Sequence, residues 1–111
     1  MTLSDLARKL ELKVLAGARG LDREVTGGYT GDLISDVMAN SQKGQVWITL
    51  QGHINVVAVG TLRELAGVVL INNRTPAQDA LTKAEEEGWP MLQSDLPAFE
   101  LSGRLYALLS G

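Results

Sequence analysis

The sequence predicts an α/β fold: a three-layer sandwich around a mixed, partly parallel sheet of about five strands. Three observations predict it. Val46-Trp47-Ile48-Thr49-Leu50 and Gly67-Val68-Val69-Leu70-Ile71 are short, nearly unbroken apolar runs, the pattern of strands buried on both faces. The residues between them, Ile54 to Leu65, carry helical spacing, so the two strands form a βαβ unit, parallel and crossed over to the right. A chain of 111 residues with a 45% hydrophobic fraction suits one domain with a real core and leaves little room for two.

The elements follow in order. A helix from about Leu3 to Leu10 places Leu3, Leu6, Ala7 and Leu10 on one stripe. Thr2 can cap it, with Asp5 three residues on in the capping-box position. Glu11 to Ala16 alternates as a strand does, Gly17 and Gly20 bracket a turn, and Leu21 to Val25 reads as a second strand forming a hairpin with the first. Thr26-Gly27-Gly28-Tyr29-Thr30-Gly31-Asp32 is glycine-rich enough to predict an irregular loop with some residues at positive φ. Asp32 then caps a helix from Leu33 to about Ser41, with Leu33, Val37 and Met38 inward. After the first buried strand, Ile54, Val57 and Ala58 share a helix side that Leu62 and Leu65 continue. Thr75 caps a further helix with Pro76 at its first position, Ala77, Ala80, Leu81 and Ala84 face inward, and Gly88 ends it. Pro90 to Gln93 is a short strand. Pro97 opens a last helix with Leu101, Leu105, Leu108 and Leu109 buried.

Composition excludes several functions. The formal net charge is -3, whereas general nucleic-acid binding needs a basic face. There is no cysteine, hence no disulfide, iron–sulfur cluster or thiolate zinc site. One histidine leaves no paired-histidine metal motif. No Gly-Lys pair occurs, and no two glycines are separated by a single residue, so the phosphate-binding P-loop and the dinucleotide fingerprint are both missing. No resident cofactor is expected. No membrane segment is expected either, since no window reaches the roughly 18 apolar residues a span needs. The first residues do not read as a secretory signal, so the expected compartment is the cytoplasm.

Two places offer polar groups to a ligand. The first is Thr26 to Asp32, where Gly27, Gly28 and Gly31 can turn backbone amides toward one point and Arg23 adds a positive charge. The second is Gly52-His53-Ile54-Asn55, at the carboxyl end of a buried strand, where open α/β sheets hold ligands. Asn72 and Asn73 follow the next parallel strand and are expected on the same edge. A lone histidine more often satisfies local hydrogen bonds, and glycines more often only turn the chain. Convergence of these loops on one rim is therefore the stronger argument. Glu85-Glu86-Glu87 reads as a solvated helix end, and Trp47 as core. Asp22 and Arg23, adjacent in a predicted strand, point to opposite faces.

Asp22-Arg23, followed by Thr26-Gly27-Gly28, resembles the signature of the DRTGG domain family. Gly28 to Met38 and Gln51-Gly52-His53-Ile54-Asn55 agree with it, and the resemblance covers nearly the whole chain, 1–111, as a single DRTGG domain. The resemblance implies a fold similar to the N-terminal domain of HPr kinase/phosphorylase. DRTGG domains also occur in CBS-domain inorganic pyrophosphatases and long phosphotransacetylases, where they are regarded as regulatory and commonly contribute to a dimer interface. Stand-alone relatives encoded near iron-only hydrogenase subunits imply a protein partner. Kinase activity in that family resides in a P-loop domain, for which this chain has no residues. The leading expectation is a non-catalytic regulatory module that dimerises and binds a small phosphorylated or nucleotide-like ligand. Asp22, Arg23, Thr26, Gly27, Gly28, Gly31, Asp32, Gly52, His53, Asn55, Asn72 and Asn73 are the expected ligand residues. The alternatives are a pure assembly protein without a ligand and, less favoured, a small enzyme using His53 as general base with Asp22 or Asp32 as its orienter.

Overall fold

A computed structural model describes every residue from Met1 to Gly111. Helix α1 (Leu3–Lys9) starts as expected: the Thr2 hydroxyl accepts from the Asp5 amide at 3.1 Å and the Asp5 carboxylate accepts from the Thr2 amide at 3.0 Å. Strand β1 (Lys13–Ala16) follows. It does not form the expected hairpin. Gly17, at φ 73, turns the chain into a short 3-10 helix over Ala18–Gly20. Residues 21–25 then run beside the N-terminus. Leu3 N–H donates to Arg23 O (2.9 Å), Ser4 N–H to Leu21 O (2.8 Å) and Val25 N–H to Met1 O (3.0 Å). The opening amides of α1 need acceptors, and this segment supplies two of them.

The glycine-rich segment also differs from the expected loop. It holds a strand, β2 (Gly27–Thr30), paired in parallel with β3 (Gln45–Thr49) from Gly27↔Gln45 to Thr30↔Ile48. The positive-φ glycines are Gly17, Gly44 and Gly88 instead. Helix α2 (Ile34–Asn40) opens at Leu33, and no side chain caps it. Asp32 has other acceptor duties, described below. Helix α3 (Asn55–Leu62), strand β4 (Gly67–Leu70), helix α4 (Gln78–Glu87), strand β5 (Met91–Gln93) and helix α5 (Ala98–Ser110) complete the chain. Thr75 is not a cap: α4 opens at Ala77, whose amide is already spent on Gly52 O at 2.9 Å. Gly88, at φ 63, ends α4 as expected.

The sheet order is β1-β5-β4-β3-β2. The last four strands are mutually parallel, and β1 joins β5 antiparallel. Alternation along the central strands divides the core. Val46, Ile48, Val69 and Ile71 pack with α1 and α5; Trp47, Val68 and Leu70 pack with α2, α3 and α4. The result is a three-layer sandwich, two helices on one face and three on the other. Some inward positions differ from the sequence reading. Leu33 is 67% exposed, Leu62 is 69% exposed and Met38 is also exposed; Ala58 and Ala77 lie outside too. Val56, Val57 and Gly60 form the buried side of α3, because Gly60 rides directly on Trp89. No helix is long and apolar enough to cross a membrane.

Candidate functional site

Parallel strands put all their N-terminal ends on one edge and all their C-terminal ends on the other, and this splits the residues expected to converge. Four-residue strands set the two edges about 13 Å apart. Arg23, Thr26 and Gly27 stand at the N-terminal edge, before or at the start of β2. Gly31, Asp32, Gly52, His53, Asn55, Asn72 and Asn73 stand at the C-terminal edge, after β2, β3 and β4. They do not share one rim.

At the C-terminal edge the Asp32 carboxylate and several backbone groups are spent on the protein itself. Asp32 Oδ1 accepts from the Thr49 hydroxyl (2.7 Å) and the Leu50 amide (2.8 Å), tying the turn after β2 to the turn after β3. The Gly31 carbonyl accepts from Trp47 Nε1 at 2.8 Å. His53 Nδ1 accepts from the Asn55 amide at 3.1 Å, so the imidazole helps to open α3. Asn72 and Asn73, both left-handed at φ 53 and 58, donate their amides to Leu96 O (3.0 Å) and Ser94 O (2.8 Å). Asparagine tolerates this conformation better than other side chains do. These residues build a joint between loops.

The N-terminal edge is more open. A cavity of about 420 Å³ there is lined by Arg23 and Lys43, but also by Glu24, Glu64 and Glu87. Arg23 Nη2 donates to Gly88 O at a long 3.4 Å, and Lys43 pairs with Glu64 at 3.0 Å. Asp22 is exposed beside it. Two cations facing three carboxylates make a poor seat for a polyanion, because like charges repel the added phosphate.

A second cavity, about 430 Å³, is a groove between β2 and α5. Thr26, Gly27, Gly28 and Thr30 form its strand wall, and Ser102, Tyr106 and Ser110 its helix wall. Ile48, Leu105 and Leu109 give it an apolar floor, with Gln45 at the side. The Thr30 and Ser102 hydroxyls share a hydrogen bond at 2.7 Å. At Gly28 the strand leaves room for Leu105: a Cβ there would stand 2.9 Å from Leu105 Cδ2, and that side chain would have to turn aside. No charged side chain lines the groove. Its chemistry is five hydroxyls and an amide over aliphatic carbon, which suits a neutral, hydrogen-bonding ring with an apolar face.

Tyr29 sits on the other face of β2. Its phenol donates to the Asp36 carboxylate, whose second oxygen accepts from Asn40 Nδ2 at 2.8 Å. Withdrawal from water, and then the Asp36 hydrogen bond and charge, raise the phenol to about 12. The helix wall of the groove was not visible to the motif reading. Its signal was the outward stripe of α5, where Phe99 and Tyr106 recur seven residues apart.

No family model matches the chain, and no curated protein sequence does. Among solved structures, the fold is similar to the CBS and DRTGG domains of the regulatory region of Clostridium perfringens pyrophosphatase, solved in complex with its activator, diadenosine tetraphosphate. The TM-score is 0.73 at 10% sequence identity, covering 95% of this chain and 45% of that one. A likeness of that extent, at that identity, is one of fold, and the fold it gives this chain is DRTGG-like.

Proposed function

We propose that this chain is a non-catalytic regulatory module that binds the nucleoside end of a small nucleotide-like ligand in the groove between β2 and α5. One observation carries the reading. The signature residues Thr26, Gly27 and Gly28 form the wall of a groove of ligand size that is rich in hydroxyls and free of charged side chains. The fold neighbour supports the class of role: that protein is a regulatory region, and it holds a nucleotide activator. A non-catalytic role agrees with the state of the one imidazole, whose Nδ1 accepts from a backbone amide and which donates to no carboxylate. A purine or ribose ring would lie on Ile48 and Leu105, with its polar edge toward Thr26, Thr30 and Ser102. Phosphates would extend outward into solvent, away from the carboxylates around Arg23.

Thermal shift with adenosine, AMP and diadenosine tetraphosphate tests the reading. Binding to the folded state alone adds about 2.7 kcal/mol at a ligand concentration about 100 times Kd. Thr26→Val and Ser102→Ala remove one hydroxyl each and are expected to weaken binding about two- to tenfold apiece. Arg23→Ala should leave affinity unchanged. The reading fails if none of the three compounds moves the melting temperature at millimolar concentration, or if only Arg23→Ala abolishes the shift.

A further inference from the structure

The cavity at the N-terminal edge of the sheet is hostile to a polyanion, yet it keeps unspent groups of both signs. The Arg23 guanidinium forms no ion pair and makes one hydrogen bond, the long one to Gly88 O at 3.4 Å. Lys43 holds Glu64 Oε2 at 3.0 Å and Lys83 holds Glu87 Oε1 at 3.2 Å, so each of these carboxylates keeps its second oxygen for another donor. The Thr61 hydroxyl donates back into α3, toward Val57 O (2.9 Å) and Ala58 O (3.1 Å), and offers lone pairs to anything else. Helix ends add to the acceptor side. Helices α3 and α4 run back against the direction of the parallel strands, so both finish at this edge, at Leu62 and Glu87. A helix C-terminus carries partial negative charge and favours a cation. Arg23 therefore lacks an anion, while Glu64, Glu87 and Thr61 lack a donor. A lone anion meets the carboxylates, and a lone cation meets the guanidinium. A molecule that carries both charges offsets both penalties.

We propose that this cavity is a second ligand site and takes a zwitterion of the free amino-acid class. The carboxylate lies on the Arg23 guanidinium, and the ammonium is held by the free oxygens of Glu64 and Glu87 and by the Thr61 hydroxyl. The volume, about 420 Å³, is that of a small-molecule pocket, and Leu65, Ala66 and Trp89 complete its wall. The site is separate from the β2–α5 groove, with which it shares no lining residue, and it does not rest on the nucleotide reading.

Magnetic resonance of the isotope-labelled chain tests the proposal. Trp89 Nε1–H, which donates to Leu65 O within the wall, is a built-in reporter. Pools of the common L-amino acids at millimolar concentration are expected to shift this resonance and the amides of Gly44, Thr61, Glu64 and Leu65, leaving 27–30 in place. The active amino acid is then compared with two derivatives of itself. N-acetylation removes the ammonium and methyl esterification removes the carboxylate, and each derivative should bind about tenfold more weakly or worse. Arg23→Gln should weaken the amino acid to a similar degree and leave its ester unaffected, because the ester has no carboxylate to lose. Glu87→Gln should weaken the amino acid and leave the N-acetyl form unaffected. No shift with any pool overturns the proposal. An ester as tight as the parent makes the cavity a cation site, and an N-acetyl form as tight as the parent makes it an anion site; either overturns it. The derivative comparison uses the unsubstituted chain, so it decides the matter even where a variant fails to fold.

Discussion

A glycine inside a helix costs about 0.5–1 kcal/mol relative to alanine, yet α3 carries Gly60 on its buried side. The reason is Trp89. A Cβ at position 60 would stand 2.0 Å from Trp89 Cζ2, and the indole cannot yield. It is 1% exposed, and its Nε1 donates to Leu65 O at 2.9 Å. The steric term therefore exceeds the helix-propensity gain. Gly60→Ala should lower stability by about 1–3 kcal/mol, read as a fall in the urea midpoint at unchanged slope. An unchanged midpoint would mean that α3 does not dock this closely. Tyr29 gives a second residue-level test. Its folded value near 12 lies above the ordinary 10.0. Its stabilising increment is therefore intact below pH 10 and is lost as pH rises toward 12. Unfolding free energies measured from pH 9 to pH 11.5 should fall more steeply in the native sequence than in Tyr29→Phe. Parallel curves would show that the Asp36 bond does not hold the phenol.

At the scale of elements, α1 shows what local spacing can specify. Its capping box is three residues of sequence and forms as written. Thr2→Ala should lower stability by about 1 kcal/mol, measured by denaturant unfolding. The Thr2 amide and hydroxyl bonds hold the Asp5 carboxyl below its usual 3.8. The increment from Asp5 is thus present above that pH and lost as pH falls through the folded value, and Asp5→Asn should flatten the acid limb. Strands β3 and β4 were equally legible, because burial on both faces leaves an unbroken apolar run. Residues 21–25 were not. Their backbone partners are Met1 to Ser4, a non-local choice that no local pattern of alternation encodes. Segment 26–32 misled for a related reason. Glycine marks positive φ and close approach alike, and here Gly28 serves the approach of Leu105. Asp32 looked like a cap because helix-start signals are local, while its actual donors, Thr49 and Leu50, come from the next strand. Half of the groove could be read from its motif. The other half lies on the outward face of α5, and periodicity analysis attends to the inward one.

For the molecule as a whole, sheet order predicts where it opens first. Strands β3 and β4 are central, paired on both sides and covered on both faces. β2 is an edge strand whose only strand partner is β3, and its outer cover is α5. Amides of the two central strands should exchange hydrogen only through global unfolding, at about 5–15 kcal/mol for a domain of this kind. Amides of β2 and α5 should exchange through a smaller opening. A ligand in the β2–α5 groove raises protection at this edge of the sheet and leaves the β3 and β4 amides limited by global unfolding. A ligand at the C-terminal edge, around His53 and Asn72, would instead protect the starts of α3 and α4. Exchange measured residue by residue, with and without diadenosine tetraphosphate, separates the two locations. Slowing confined to 54–58 and 77–81, with 27–30 unchanged, would move the site to the opposite edge of the sheet.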